Sequence, residues 1–158
     1  MARCPTCKIL YSSDVVFCPR DGTALGDWLL DSRYRIVSKL GTGGMGVVYL
    51  AKHVKLGKPV AVKVLKEEIS HDPTIIKRFT QEAEAASRIG HENIVNVTDS
   101  GSTPEGLLYF VMEYLQGHTL ADLLHHERVL TLGRASNILV QICEAMEAAH
   151  VHEIIHRD

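Results

Sequence analysis

Long apolar runs are missing from this 158-residue chain: no stretch approaches the roughly 20 residues that a membrane-spanning helix needs. The start, Met1-Ala2-Arg3-Cys4-Pro5-Thr6-Cys7, has no apolar segment of the signal-peptide kind, although this says nothing of an anchor beyond residue 158. No charge of one sign dominates. The formal net charge is −2, so the basic surface that nucleic acid or an anionic membrane demands is not expected, and neither is a nucleic-acid partner. Cysteines are few, four in all, and Cys4, Cys7 and Cys18 are clustered near the start. Without an export signal, that pattern favours a reducing, cytoplasmic setting where thiols bind metal rather than pair. There is no internal repeat and no low-complexity tract. What is present, 46% hydrophobic and 23% charged residues, is the composition of a folded globular chain.

Three zones follow. Residues 1 to 26 are rich in cysteine and turn formers, residues 27 to 33 read as a linker, and strand-like alternation begins at Tyr34. Val60 to Leu65 reads as a strand. Asp72-Pro73 opens a helix, with a capping carboxylate and a proline at the first helical position, that runs to Ile89 before Gly90. Val95–Val97 and Leu107–Tyr114 are expected as strands around a turn-rich Asp99–Gly106. From Leu120 the pattern is helical, and Ala135, Ile138, Leu139, Ile142, Cys143, Met146 and Ala149 form one stripe that places Cys143 in a core.

The glycine-rich stretch Gly41-Thr42-Gly43-Gly44-Met45-Gly46 lets backbone amides approach phosphate oxygens with no Cβ in the way. Three readings compete for it, besides a plain glycine hairpin. The P-loop form wants Lys and Ser/Thr after the last glycine, and Val47-Val48 fails that test. The dinucleotide-binding form wants a helix and then an acidic residue about 20 positions on, a place that Glu67 nearly fills. Against it, Val47-Val48-Tyr49 prefers extended backbone, and the next strand follows closely. On the Asp72 helix, Ile75, Phe79, Glu82, Ala86 and Ile89 share a side, so Glu82 points into an apolar stripe. There it either pairs with a cation, Lys63 being near, or reaches out at the stripe's edge.

Beyond residue 33 the chain resembles protein kinases, specifically bacterial serine/threonine kinases of the eukaryotic type. The matching residues run in family order: Gly41, Gly43, Gly46 and Val48; Ala61 and Lys63; Glu82; His91-Glu92-Asn93-Ile94-Val95; Met112-Glu113-Tyr114-Leu115; and His156-Arg157-Asp158. The resemblance implies an α+β fold. It would comprise a kinase N-lobe over 34–114, built of a five-stranded antiparallel sheet and one long helix, and the first C-lobe helices over 115–158. It implies ATP and Mg²⁺ as cofactors and protein Ser/Thr hydroxyls as substrates. Gly41, Thr42, Gly43, Gly44, Met45 and Gly46 would close over the phosphates, and Lys63, oriented by Glu82, would hold the α and β groups. Val48 and Ala61 would cover the adenine, Met112 would back it, and the backbone of Glu113 and Leu115 would hydrogen-bond it. Asp158 would be the catalytic base.

The chain ends there, without the later asparagine and Asp-Phe-Gly that hold magnesium in such kinases, so the 158-residue polypeptide alone is expected to be inactive. An incomplete reading frame, or a truncated regulator, would account for it. The stripe from Ala135 to Ala149 is then expected to leave an apolar face exposed. The rival readings are a non-catalytic nucleotide-binding or scaffolding fragment and a dinucleotide-dependent enzyme.

Two metal patterns remain. Cys4-x-x-Cys7 and Cys18-x-x-Asp21, followed by Gly22, look like the paired turns of a zinc ribbon in which Asp21 takes the fourth place. The alternative is a cysteine turn without metal. A protein-interaction role is the default expectation for this module. The second pattern, His152-Glu153-Ile154-Ile155-His156, matches H-E-x-x-H, yet it works only if all five residues are helical, and it straddles an expected helix end.

Overall fold

The computed structural model describes residues 2–12, 15–103 and 106–155. His156, Arg157 and Asp158, and with them the expected catalytic base, lie outside the described residues. A two-stranded ribbon, β1 (Ala2–Arg3) and β2 (Leu10–Tyr11), comes first. Six antiparallel strands follow: β3 (Thr23–Leu30), β4 (Tyr34–Thr42), β5 (Gly46–His53), β6 (Pro59–Leu65), β7 (Val97–Ser102) and β8 (Leu108–Glu113). They form one sheet in the order β3-β4-β5-β6-β8-β7. Among the described residues three α-helices accompany it: α1 (Pro73–Ile89), α2 (Leu120–Glu127) and α3 (Leu132–Val151).

Five of these six strands lie within residues 34–114; the sixth, β3, joins the sheet's edge from ahead of that range, and the linker expected over residues 27–33 is a strand end and a hairpin turn. Asp31 and Ser32 both take positive φ, 49° and 54°, and the Arg33 amide donates to the Leu30 carbonyl at 3.1 Å. That is the mirror-image turn that suits a twisted hairpin. It pairs Leu30 with Tyr34 and Trp28 with Ile36.

Period-two alternation sorts the sheet's side chains onto two faces. Tyr34, Ile36, Ala51, Val62, Tyr109 and Val111 pack on one face, beneath Phe17 and Leu30. Leu65 and Phe110 look the other way, onto Phe79 and Ala83 of α1. Ala61 and Lys63 alternate with Val62 and so share the α1 face. The helix itself begins and ends as its sequence signals say. The Asp72 carboxylate accepts the Thr74 amide at 2.8 Å, Pro73 opens the first turn, and Gly90 closes the helix in the left-handed region.

Two further expectations need correction. Strand β7 occupies Val97–Ser102, not Val95–Val97, so the first half of the stretch read as turn, Asp99–Ser102, is ladder paired to β8. Cys143 is exposed, not core. The α3 stripe is covered mainly at Ala149, while Leu139 and Ile142 face solvent, so an apolar face is indeed left open. Among the described residues, no helix is long and apolar enough to cross a membrane.

Candidate nucleotide site and cysteine cluster

Strand β4 runs up to Thr42, the chain turns through Gly43–Met45, and β5 returns from Gly46. The Gly43 amide closes the turn on the Gly46 carbonyl at 2.9 Å. None of the turn's glycines uses positive φ, so the freedom expected there is not what requires them. Gly46 is needed for closeness: a Cβ on it would lie 2.7 Å from the Val64 carbonyl oxygen and 3.3 Å from Lys63 Cγ. At Gly44 a Cβ would meet nothing within 4 Å, which leaves open space above the strand that carries Lys63.

Lys63 pairs across the sheet with Val48 on one side and Phe110 on the other. Its ammonium donates to both Glu82 oxygens, at 2.6 and 2.9 Å, and lies 5.6 Å from the Phe110 ring centre. The Lys63 side chain is 17% exposed and that of Glu82 43%, so Glu82 does not point into the apolar stripe; Phe79 and Ala83 fill the buried side of α1 instead. At such exposure the pair adds little stability, roughly 0–1 kcal/mol. Its consequence is geometric: an ammonium held in place beneath the glycine turn. The turn has a second tether that sequence reading missed, since Lys66 Nζ donates to the Gly44 carbonyl at 3.2 Å and its amide to that of Met45 at 3.1 Å.

Ala61 is buried opposite Leu50 and Met112, which places it in the floor between β5 and β8. Val48 and Met112 are half-buried and Leu115 is exposed just past β8. The Glu113 amide is committed to the Asn96 carbonyl at 3.1 Å. An open recess of about 560 Å³ between α1 and the β7–β8 pair lies away from the glycine turn. It is lined by Glu84 and Asp99 but by no basic residue, which does not suit phosphate.

A family model described as "Protein kinase domain" matches residues 34–158. The chain belongs to the protein kinase family. Among bacterial kinases, serine/threonine-protein kinase Pkn1 of Myxococcus xanthus is 44% identical over 125 residues, 79% of this chain and 18% of that protein. Serine/threonine-protein kinase PknB of Mycobacterium tuberculosis is 43% identical over 132 residues, 82% of this chain and 21% of that protein. The kinase chain thus spans about a fifth of the length of these curated relatives. A crystal structure of the Mycobacterium tuberculosis PknI kinase domain superposes with a TM-score of 0.70 at 31% identity, over 85% of this chain and 54% of that one. The fold is accordingly kinase-like, with a sheet-rich lobe and a few helices.

Ahead of the kinase region, Cys4, Cys7, Cys18 and Asp21 bring one ligand atom each to within 4.8 Å of one another. Cys7 and Cys18 sulfurs are 3.6 Å apart, and Cys4 Sγ lies 3.4 Å from Asp21 Oδ2. Two backbone turns of one shape present them. The Lys8 amide donates to the Cys4 carbonyl at 3.1 Å and the Gly22 amide to the Cys18 carbonyl at 2.9 Å; Lys8 and Gly22 both take positive φ, 66° and 70°. Asp21 therefore stands where Cys7 stands in the first turn. The hydroxyl and amide of Thr23 hold its carboxyl well below the usual range. Burial resists ionisation of Cys18, but the Tyr11 hydroxyl and the amides of Asp21 and Arg20 outweigh it and lower the thiol. At Cys7 the Ile9 amide favours the thiolate, while burial and the sulfurs of Cys18 and Cys4 outweigh it and raise the thiol. Tyr11, whose hydroxyl lies 3.4 Å from Cys18 Sγ, is a neighbour that spacing alone did not single out. The H-E-x-x-H pattern does not become a helical site: α3 stops at Val151 and Glu153 takes a φ of 60°, while His156 lies outside the described residues.

Proposed function

We propose that residues 34–158 are the ATP-gripping part of a serine/threonine protein kinase. The observation that carries this reading is the Lys63–Glu82 pair beneath the glycine turn, 2.6 Å long and joined across two elements 19 residues apart. In this reading Gly41–Gly46 lies over the triphosphate, Lys63 holds its α and β oxygens, and Val48, Ala61 and Met112 enclose the adenine. The Glu113 carbonyl and the Leu115 amide pair with its edge. In the full kinase reaction a Ser/Thr oxygen attacks the γ-phosphorus, the bond to the bridging oxygen breaks, and ADP leaves while the hydroxyl proton passes to Asp158. Magnesium neutralises phosphate charge in that step, and no ligand for it is assigned among residues 1–158.

The test compares an ATP analogue with NAD on the 158-residue chain, with Lys63→Met as control. A charged hydrogen bond contributes about 1.5–3 kcal/mol, so the variant should bind the analogue roughly 10- to 100-fold more weakly and keep its fold. Binding of NAD in preference, or of ATP with no dependence on Lys63, sinks the reading.

For the cysteine cluster, the reading is a structural Zn²⁺ site. Zn–S bonds of about 2.3 Å in a tetrahedron space the sulfurs about 3.8 Å apart, and the 3.6 Å between Cys7 and Cys18 suits that spacing. Asp21 Oδ1 accepts the Thr23 amide, which leaves Oδ2 for the metal. One zinc per chain, lost on Cys4→Ser with Cys7→Ser, is the expected result of elemental analysis. Absence of metal from chain purified under reducing conditions removes the site, and with it the notion of a zinc-ribbon surface for partner proteins.

A further inference from the structure

The second cysteine turn does not hang free of the nucleotide site; it is built into the two strands that carry the glycine turn. Gly22, the last residue of that turn, accepts the Lys39 amide at 2.9 Å, and Thr23 pairs with Ser38. Lys39 lies on β4 only two residues before Gly41. The approach is close: a Cβ on Gly22 would sit 3.2 Å from the Lys39 carbonyl oxygen. On the other strand, Phe17, which immediately precedes the ligand Cys18, stacks on Tyr49 with ring centres 5.1 Å apart and planes at 21°. Tyr49 is the β5 residue opposite Lys39. One turn thus holds β4 by a hydrogen bond and β5 by an aromatic stack, at the same level, just below the flap. Above that level the β4–β5 register slips between Lys39 and Gly41, and only the Gly41–Val48 and Thr42–Val47 pairs separate it from the turn.

We infer that metal binding at Cys4, Cys7, Cys18 and Asp21 and nucleotide binding beneath Gly41–Gly46 are positively coupled, with the Cys18–Gly22 turn as the clasp between them. The inference rests on the metal and nucleotide readings above. Its physical content is that four metal bonds fix the conformation of Cys18–Gly22, and so the positions of the Gly22 carbonyl and the Phe17 ring. Loss of the metal frees a turn whose thiol and carboxylate, Cys18 and Asp21, no longer share a centre with Cys4 and Cys7, and the strands entering and leaving the flap lose one shared support besides their own pairing. A flap that must be ordered on binding binds more weakly, since ordering opposes association. Coupling of this kind is reciprocal: whatever factor metal adds to nucleotide affinity, nucleotide adds to metal affinity.

The experiment uses the 158-residue chain, zinc-loaded and chelator-stripped under reducing conditions. Zinc content is read by elemental analysis, affinity with a fluorescent non-hydrolysable ATP analogue, and backbone opening by amide exchange over residues 38–48. Stripping should weaken the analogue by about fivefold, the low end of typical coupling. Zinc should restore it, saturating analogue should tighten zinc by the same factor, and amides 38–48 should exchange faster without metal. A Lys39→Pro variant removes the amide that Gly22 accepts while leaving all four ligands. It should keep one zinc per chain but lose most of the coupling. If stripping unfolds the chain, as far-UV dichroism would reveal, this variant decides: zinc-loaded, it must bind the analogue more weakly than the zinc-loaded parent. One zinc per chain with unchanged affinity and unchanged exchange overturns the coupling alone. A chain that takes up no zinc overturns the metal reading and the coupling together. A chain that binds zinc but no nucleotide fails the ATP reading, and unchanged amide exchange on stripping then overturns the clasp by itself.

Discussion

At Lys63 and Glu82 the information lies in position rather than energy. Half-exposed carboxylates recover little stability from an ion pair, so Glu82→Gln should leave the melting temperature almost unchanged. It should nevertheless weaken an ATP analogue by about three- to tenfold, since an ammonium without its partner samples other rotamers; tenfold is about 1.4 kcal/mol. A melting curve and a binding curve on one sample separate these effects, and equal losses in both would show a merely structural pair. Tyr34 makes the opposite case, in which energy dominates. It is 4% exposed, and its hydroxyl donates to Asp99, which also takes Arg33. Burial, then the hydrogen bond to Asp99 and after it the Asp99 charge, push its phenol from 10.0 up to about 12. A raised phenol stabilises the fold fully below its unfolded value and loses that contribution as pH climbs through the folded one. Stability should therefore fall between about pH 10 and 12. Burial also raises Tyr49 and Tyr109, so the experiment compares Tyr34→Phe with the parent by phenolate absorbance and denaturant unfolding. The variant should show the shallower alkaline decline; an identical slope would remove Tyr34 from the account.

Element by element, two glycines two positions apart predict opposite outcomes. Gly46→Ala drives a methyl into the Val64 carbonyl at 2.7 Å, where only backbone can yield, and should cost about 1–3 kcal/mol. Gly44→Ala meets nothing and has no positive φ to lose, so stability should hold or rise slightly. Its methyl would project into the space proposed for phosphate, and analogue affinity should drop. Denaturant unfolding and binding on both variants check this, and a destabilised Gly44→Ala would mean that the turn packs otherwise. Elements of this kind were legible because their signals are local: the Asp72-Pro73 cap, the Val60–Leu65 alternation, the glycine spacing. Strand β3 was not, because Ala24, Gly26 and Asp27 break its alternation and Asp31-Ser32 is a weak turn signal beside Asn-Gly. Strand β7 failed for a related reason. Asp99, Ser100, Gly101 and Ser102 read as turn formers, and only pairing with β8 makes them a ladder. That Cys4, Cys7, Cys18 and Asp21 come together was legible by spacing, but the contact of the second turn with Lys39 and, through Phe17, with Tyr49 is tertiary and no local word announces it.

Over the whole molecule, cohesion is uneven, and the reason is visible in what each helix touches. Helix α1 buries Phe79 and Ala83 against Leu65 and Phe110, so it shares the sheet's core. Helix α3 buries Ala149, and Glu144 accepts Asn93 Nδ2 at 3.2 Å. Leu139, Val140, Ile142 and Val151, all on α3, remain 45% to 76% exposed. Helices in proteins owe most of their stability to packing of an apolar face rather than to propensity, and among the described residues α3 has that face without its cover. Opening it should therefore cost much less free energy than opening the sheet. In amide exchange on the 158-residue chain, residues 136–146 should exchange on the order of a hundredfold faster than β5 and β6. Asn93→Ala should widen the gap by loosening the link to Glu144, while Gly46→Ala should narrow it from the other side by weakening the strands. Protection of α3 equal to that of β5 would show that the helix holds to the sheet through more than Ala149 and Asn93, and that the chain opens as one unit.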